Sequence, residues 1–242
     1  MKRFISTLQF LTRITIIKNP EYDEDFKKGI IYFPMVGLVL GAILAVVYKG
    51  LITLLNPTVT SIFVIGIYIV LTGGLHLDGL ADTFDGFYSS RTREEILVIM
   101  KDSRLGSNGV IIINLALLLK VFTLASMTEN QAIFALILMP VMGRLATTYG
   151  SYKIPYAREK GLGHIYIDAI TTKEVVYATC IATIITLIDI KSLPFIIIVG
   201  LFSIAFKNHS KNIINGMTGD TLGALCELTE ILYLLYIMIL LK

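Results

Sequence analysis

Three aspartates lie within one short stretch, GGLHLDGLADTFDGF (73–87), which directly follows an apolar run. If this stretch is helical, the spacing of about 100° per residue places Asp78, Asp82 and Asp85 on one face. Unpaired carboxylates this close raise one another's pKa unless a cation compensates their charge. Oxygen ligands favour Mg²⁺ or Mn²⁺ over zinc, and Mg²⁺ is usually held by a few carboxylates together with substrate phosphates. The spacing therefore predicts a magnesium site, with a solvated acidic helix end as the alternative.

A second polar cluster, MKDSRLGSNG (100–109), comes at the predicted start of an apolar helix. Its charged and hydroxyl side chains are Lys101, Asp102, Ser103 and Arg104. Basic side chains beside the free N–H groups and the positive dipole end of a helix suit an anion, and we interpret this cluster as a phosphate-binding segment. Anchoring of the helix by cations at a membrane surface is the alternative. The glycine and lysine spacing of a P-loop is absent.

Four further ionisable residues are candidates for the same site. His76 faces away from the three aspartates and either supports the acidic site or belongs to the core. Arg158 lies in a glycine-containing loop that is able to close over a charged substrate. Asp220 suits a helix cap, but it also shares a helical face with Glu227, two turns into an apolar helix. An ionisable residue at that depth usually faces a polar partner, and a structural ion pair with Arg144 is the alternative.

The elements that must position these residues are membrane helices. Of the 242 residues, 55% are hydrophobic and only 16% are charged, with a mean hydropathy of +0.76, whereas soluble domains carry about 25% charged residues. Long continuous apolar runs favour helices over the short alternating segments of a barrel. The two cysteines lie in apolar runs and indicate neither disulfides nor a thiolate metal site. The predicted fold is all-α, a polytopic integral membrane helical bundle.

We predict about seven transmembrane helices within a single membrane-embedded domain, 1–242. They are about 30–48, 58–77, 107–127, 131–149, 174–190, 193–206 and 221–241. The run at 193–206 is short for a crossing, and the count falls to six if it is re-entrant. The residues before the first span, 1–28, form a predicted cytoplasmic interfacial segment. Within it, an apolar stripe over 4–17 predicts a helix lying in the membrane interface, with a flexible tail as the alternative.

The distribution of Lys and Arg predicts a cytoplasmic N-terminus. With that orientation, 16 of the 21 basic residues fall on the inside. The segments that carry the candidate site residues then all lie on the cytoplasmic side. We therefore expect a multi-pass protein of the cell (cytoplasmic, inner) membrane whose active site faces the cytoplasm.

Four stretches carry a family resemblance. They are LQFLTRI (8–14), TGGLHLDGLADTFDGF (72–87), MKDSRLGSNGV (100–110) and MTGDTLGALCELTE (217–230). Together they closely resemble cobalamin synthase, the adenosylcobinamide-GDP ribazoletransferase family, and the resemblance runs from about residue 4 to residue 232. It implies the last assembly step of the nucleotide loop of vitamin B12, in which α-ribazole or its 5′-phosphate attacks the cobinamide-linked phosphorus of adenosylcobinamide-GDP and GMP leaves.

The resemblance also implies a cofactor, partners and residue roles. Members are integral membrane proteins that need Mg²⁺, and the implied partners are the two substrates and the lipid bilayer, with no nucleic acid and with a homo-oligomer left open. We expect Asp78, Asp82 and Asp85 to hold Mg²⁺, and one of them or His76 to accept the proton of the ribazole hydroxyl. The residues expected to bind substrate or phosphate are Lys101, Asp102, Ser103, Arg104, Arg158, Asp220 and Glu227.

Two other classes of function compete with the transferase. A cation- or proton-coupled transporter would use the ionisable residues of the apolar helices to line a path. A membrane-anchored nucleotide-binding protein would hold the substrate without turnover. The acidic cluster lies at the predicted membrane boundary rather than at the midplane, which favours the enzyme over the transporter.

Overall fold

All the regular elements in the described part of the chain are helices, as the sequence predicts. The structure is a computed structural model, and it describes residues 2–18 and 25–240. The α-helices are α1 (Lys2–Leu11), α2 (Phe33–Leu51), α3 (Pro57–Thr72), α4 (Leu75–Phe87), α5 (Arg93–Ile99), α6 (Ser107–Ala125), α7 (Glu129–Ser151), α8 (Thr172–Thr186), α9 (Phe195–Ile214) and α10 (Gly219–Leu240). Short 3₁₀ turns cover Phe26–Tyr32, Leu162–Ile165 and Ile190–Ser192.

Five helical segments are long and apolar enough to cross a membrane, and a sixth crossing is counted when α3 and α4 are taken as one broken span. The chain is therefore a multi-pass membrane protein, but the predicted count of seven is not confirmed. The predicted span 174–190 corresponds to α8, which has only 15 residues. The helix at the predicted span 193–206 is longer than its apolar run, because α9 has 20 residues and ends at Ile214. Lys207 and Lys211 end the apolar run in the sequence without ending the helix.

The second predicted span does not run straight into the aspartate stretch. Gly73 and Gly74 both have positive φ, 63° and 70°, a backbone region that glycine enters at little cost. The chain turns there by 89° between α3 and α4. We therefore treat α3 as the part of this pair that crosses the membrane and α4 as a helix that lies across the end of the bundle.

Small residues bring the backbones of α2 and α7 together at the centre of the bundle. A Cβ atom at Gly37 would collide with the backbone at Pro140, and one at Gly41 would collide with the backbone at Ile137. This is the spacing of small residues that lets membrane helices approach closely where lipid removes the hydrophobic drive for association. The pair forms the wall against which the other helices pack.

The N-terminal segment forms a shorter helix than predicted. The amphipathic stripe over 4–17 folds as α1, which ends at Leu11 and buries Thr7, Leu8 and Leu11. Phe10 packs edge to face on Phe26 of the first 3₁₀ turn, with ring centres 5.6 Å apart. Residues 19–24 of the predicted interfacial segment lie outside the described residues. The first helix thus contacts the bundle, and it contributes to the cavities described below.

Four ionisable side chains and one tyrosine, from α3, α6, α7 and α10, form a buried cluster. Lys120 Nζ lies 2.7 Å from Glu227 Oε2 and 2.5 Å from Glu230 Oε2. Arg144 Nη1 lies 2.5 Å from Glu230 Oε1, which also accepts a 2.5 Å hydrogen bond from Tyr68. Two cations balance two carboxylates, which is how ionisable groups persist inside a membrane bundle.

Because this cluster is balanced, removal of one partner is expected to destabilise the fold. Lys120→Met leaves Glu227 and Glu230 with a single cation, and we expect a loss of about 3–5 kcal/mol. The double variant Lys120→Met/Glu227→Gln removes one charge of each sign and should recover part of the loss. Thermal unfolding of the purified protein in detergent measures both effects.

The matched control is Lys49→Met, since Lys49 forms an exposed pair with Glu129 at 3.4 Å. Exposed pairs contribute little, and its melting temperature should stay close to that of the unmodified protein. A Lys120→Met variant that melts with the control would show that the buried cluster does not depend on its charge balance.

Candidate active site

The three segments that carry most of the predicted site residues meet at one end of the bundle. Arg93 at the start of α5 donates hydrogen bonds of 3.0 Å to the carbonyl of Ala157 and of 3.0 Å to that of Ile214. Tyr156 and Met217 form an isolated parallel β-bridge. These contacts join the region around α5, the loop after α7 and the start of α10 at one end of the bundle. Which side of the membrane this end faces stays a prediction.

Two glycines place α4 directly against α10. We call α4 the acidic helix, because it carries Asp78, Asp82 and Asp85. A Cβ at Gly79 would collide with the backbone of Asp220, and a Cβ at Gly223 would press on the backbone of His76. The close approach requires both positions to be free of side chains, as in other tightly packed membrane helices. It brings the carboxylate of Asp220 to the side of α4 that carries Asp78.

Negative charge is in excess at this junction. Asp78, Asp82 and Asp85 lie on one face of α4, as the sequence predicts, while Leu80 and Ala81 are buried behind them. Burial first, and then the neighbouring carboxylates Asp78 and Asp220, raises the pKa of Asp82 to about 7, and Arg158 opposes this rise.

A single arginine offsets part of that charge. Arg158 Nη2 lies 2.7 Å from Asp220 Oδ2, and the two side chains are 11% and 24% exposed. The same nitrogen donates a hydrogen bond of 3.2 Å to the carbonyl of Met100. Arg158 and Asp220 thus lie beside the aspartates of α4, and they are joined as an ion pair.

The third aspartate has a different environment from the first two. Asp85 accepts hydrogen bonds of 2.7 Å from the N–H of Gly106 and 2.8 Å from the N–H of Gly109, at the start of α6. A Cβ at either glycine would collide with this carboxylate. The sequence predicts phosphate at this helix N-terminus, but two of its N–H groups already bind the protein's own carboxylate. That interpretation of the glycines is therefore corrected, and Asp85 ties the loop before α6 to α4.

The predicted phosphate segment lies in this loop, at the surface. Lys101, Ser103 and Arg104 are exposed. Arg104 binds Asp102 through Nε and Nη2, with the shortest contact at 2.6 Å. This hydrogen bonding holds the pKa of Asp102 at about 2, well below its ordinary value. Among the described residues no recorded contact joins Lys101, Ser103 or Arg104 to the aspartates of α4.

Two predicted site residues lie deeper than the rest. Burial, with Arg144 and Lys120 nearby, lowers the pKa of His76 well below its usual range, so its imidazole is neutral. Its Nδ1 has no partner among the described residues. Glu227 lies in the buried cluster and is only 6% exposed. An ion pair with Lys120 accounts for Glu227, whereas Arg144, the partner considered in the structural alternative, pairs with Glu230. The contacts do not place Glu227 in a metal shell.

Two cavities adjoin the acidic helix and share Asp78. The first, of about 610 Å³, is lined by Arg13, Gly73 and Gly74 among others. The second, of about 520 Å³, is lined by Arg158, Asp220 and His76 together with aromatic side chains. Both volumes lie in the range of small-molecule sites. Asp78 therefore stands where two bound molecules would meet.

Several residues of these cavities were missed by reasoning from the sequence. They are Gln9, Phe10, Arg13, Phe33, Tyr156 and Tyr166. Gln9, Phe10 and Arg13 belong to LQFLTRI, a stretch that carries the family resemblance, and this was the available signal. For Phe33 and Tyr166 the sequence offers none, because their apolar surroundings resemble any helix of the core.

The donor set suits a hard divalent ion that the substrate helps to bind. Among residues 2–18 and 25–240, no three His, Cys, Asp or Glu side chains are close enough to hold a metal ion by themselves. Mg²⁺ is commonly bound by only one or two carboxylates, with phosphate oxygens and water completing its shell. Asp78 and Asp82 offer such carboxylates in a site with excess negative charge, so the residues present fit the ion that the sequence predicts.

The raised pKa of Asp82 predicts that its ionised carboxylate lowers the stability of the fold. Its folded pKa, about 7, exceeds the ordinary 3.8, so ionisation costs stability as pH rises from about 4 to 7. Asp82→Asn removes this cost. After allowance for solvent screening at a half-buried group, we expect a gain of roughly 1–2 kcal/mol at pH 8 without divalent ions, shrinking towards pH 4. Melting temperature in detergent across this pH range measures it.

The variant Glu94→Gln serves as the control, because Glu94 is exposed and pairs with Arg93 at 3.3 Å. A melting temperature for Asp82→Asn at pH 8 that is no higher than that of Glu94→Gln would contradict the proposed electrostatic cost at Asp82.

Comparison with known proteins identifies the family. The family model described as cobalamin-5-phosphate synthase matches residues 3–238. The chain is 49% identical over 239 residues to a protein of Alkaliphilus metalliredigens named adenosylcobinamide-GDP ribazoletransferase, covering 99% of this chain and 96% of that protein. A protein of the same name from Clostridioides difficile is 42% identical over 252 residues, with 99% and 98% covered. No solved structure matches the chain. With this coverage and identity, the chain belongs to the cobalamin-5-phosphate synthase family.

Proposed function

We propose that this protein joins adenosylcobinamide-GDP to α-ribazole, or to its 5′-phosphate, with release of GMP. Its relatives carry the name of this activity. The observation that carries the proposal is the junction at Asp78, where two cavities meet beside surplus carboxylates. A reaction between two substrates, one of which is a pyrophosphate, needs this arrangement: space for both molecules and a place for a divalent ion between them.

The bonds that change define what the site must do. A ribazole hydroxyl oxygen forms a new bond to the cobinamide-linked phosphorus. The bond from that phosphorus to the bridging oxygen of the pyrophosphate breaks, and GMP leaves with the electron pair. Little covalent chemistry is asked of the protein, so positioning and charge compensation supply most of the catalysis.

Asp78 and Asp82 are the residues we propose to hold Mg²⁺ with the phosphate oxygens of the substrate. When bound, the ion would neutralise negative charge that develops in the transition state. Asp85 is a weaker ligand candidate because both of its oxygens already accept backbone N–H groups. We propose that it positions the loop of Lys101 and Arg104 beside the site.

The proton of the attacking hydroxyl needs an acceptor at the same face. Asp82 is the acceptor we propose, because its half-buried carboxylate lies on the same face of α4 as Asp78, and a positioned carboxylate can take up a proton in the transition state. The neutral imidazole of His76 is less suited, since its lowered pKa makes it a weak base. Arg158, held by Asp220 at 2.7 Å, is placed to compensate phosphate charge.

The orientation of the site is also part of the proposal. The excess of Lys and Arg in the segments around α4, α5 and the loop after α7 supports a cytoplasmic active site under the positive-inside rule. We place the protein in the cytoplasmic membrane with this end of the bundle towards the nucleotide substrate.

The transferase is tested by GMP release from adenosylcobinamide-GDP and α-ribazole, using the purified protein in detergent. We expect GMP matched one to one by the cobalamin product, dependent on Mg²⁺ and abolished by EDTA. Asp82→Asn should lower the rate at least 100-fold, since general-base groups typically contribute that much. Asp78→Asn should raise the Mg²⁺ concentration needed for half-maximal rate.

Glu94→Gln controls for loss of a carboxylate at the same end of the bundle and should keep the rate of the unmodified protein. GMP release that persists in EDTA would count against the metal assignment. A folded protein that moves substrate across sealed vesicles without a covalent product would instead favour the transporter. Against that reading, Glu227 and Glu230 are already paired with Lys120 and Arg144, which leaves no unpaired ionisable group in this cluster to line a path.

A further inference from the structure

The cavity of about 520 Å³ is lined by a cluster of aromatic side chains, which we call the aromatic wall, and by charged groups. The ring of Tyr166 stands at the centre of the wall. Its centre lies 5.1 Å from that of Phe33 and 5.8 Å from that of Phe10, in edge-on and tilted contacts. Leu11 extends the apolar surface, whereas Arg158 and Asp220 line the cavity beside Asp78.

Three buried polar atoms on this cavity lack partners. They are the hydroxyl of Tyr166, Nδ1 of His76 and Nε of Arg158, and none has a hydrogen bond to any described residue. Tyr166 is only 3% exposed and His76 only 6%. Buried polar atoms without partners are rare in folded proteins and costly. All three belong to residues that line one cavity, which makes this cavity the candidate site for a bound molecule that supplies their partners.

We propose that this aromatic cavity binds the heteroaromatic base of the acceptor nucleoside, the benzimidazole ring system of α-ribazole, with Tyr166 as a residue that determines specificity. The assignment rests on the proposed function, because that function supplies the two substrates. A flat base would lie against Phe33, Tyr166 and Phe10, and its ribose would extend past Arg158 towards Asp78.

The chemistry of the wall favours this base over the guanine of the donor. Phe33, Tyr156 and Tyr166 line this cavity but not the other one, so this cavity offers the larger aromatic surface. The outer edge of a benzimidazole is apolar and suits such a wall.

The other cavity, of about 610 Å³, has the polar lining that the donor requires. Gln9, Thr12 and Arg13 line it, together with Thr72 and Asp78. Arg13 is exposed there, next to the left-handed Gly73. With the acceptor on one side of Asp78 and the donor on the other, the hydroxyl and the pyrophosphate meet at the acidic helix.

Steady-state kinetics of two variants test the assignment. Tyr166→Phe removes only the unpartnered hydroxyl and should raise KM for α-ribazole about three- to tenfold. Phe33→Leu removes an aromatic contact and should raise it about tenfold. KM for adenosylcobinamide-GDP should stay unchanged in both. Tyr48→Phe is the matched control, because Tyr48 is equally buried but lies about four turns from Phe33 along α2.

The kinetic outcomes separate the two proposals. No GMP release by the unmodified protein would count against the proposed function. Normal release with an unchanged KM for α-ribazole in both variants, or a raised KM for the donor alone, would overturn only the assignment of the cavity.

A binding measurement checks the assignment without turnover. The chain has no Trp, so Tyr156→Trp places a single tryptophan, which can be excited selectively above the tyrosine absorption, at a half-buried position of this cavity. Adding α-ribazole should change its emission, whereas GMP should not. Phe122→Trp, on the exposed side of α6, should respond to neither. A response to GMP but not to α-ribazole, or to neither probe, would overturn the proposal.

Discussion

The contact between α4 and α10 is the constraint on which the site depends. Gly79 and Gly223 let the two backbones approach so closely that a side chain at Gly79 would collide with α10 and one at Gly223 would press on α4. That contact forces Asp220 towards the aspartates of α4 although carboxylates repel one another. The helix can lie there only because the chain turns by 89° after α3, at two glycines with positive φ. Packing of the bundle therefore holds together charges that would separate on their own.

The molecule contains two clusters of ionisable side chains that differ in charge balance. In the buried cluster, Lys120 and Arg144 meet Glu227 and Glu230 with no surplus of either sign. Such a group holds helices together and has no capacity left for a ligand. At the acidic helix, the carboxylates of Asp78, Asp82 and Asp220 outnumber Arg158, the cation that pairs with Asp220. Charge left uncompensated by the fold is available for a metal ion and a phosphate, which is why binding is assigned to this junction rather than to the deeper cluster.

What the sequence could predict was what depends on local spacing. A helical period places three aspartates on one face whatever the rest of the fold, and apolar runs reveal membrane helices. The turn at Gly73 leaves both of these predictions intact. Its angle could not be predicted, because it depends on tertiary packing. The aromatic wall of Phe33 and Tyr166 joins residues more than a hundred positions apart, and no local pattern announces it. The partner of Asp85 was equally hidden, because LGSNG reads as a site for an external anion until the carboxylate is seen there.

The three aspartates show how environment divides identical side chains among different tasks. Asp78 is exposed and stands where two cavities meet, so it can reach both substrates. Asp82 is half-buried among like charges, which raises its pKa to about 7, so its ionisation carries the electrostatic cost of the site. Asp85, three residues further on the same face, accepts two backbone N–H groups and fixes a loop. Since residue type and helical face are shared, only the neighbours supplied by α6 and α10 separate the roles, and a substitution in those neighbours should alter the chemistry of α4 without touching it.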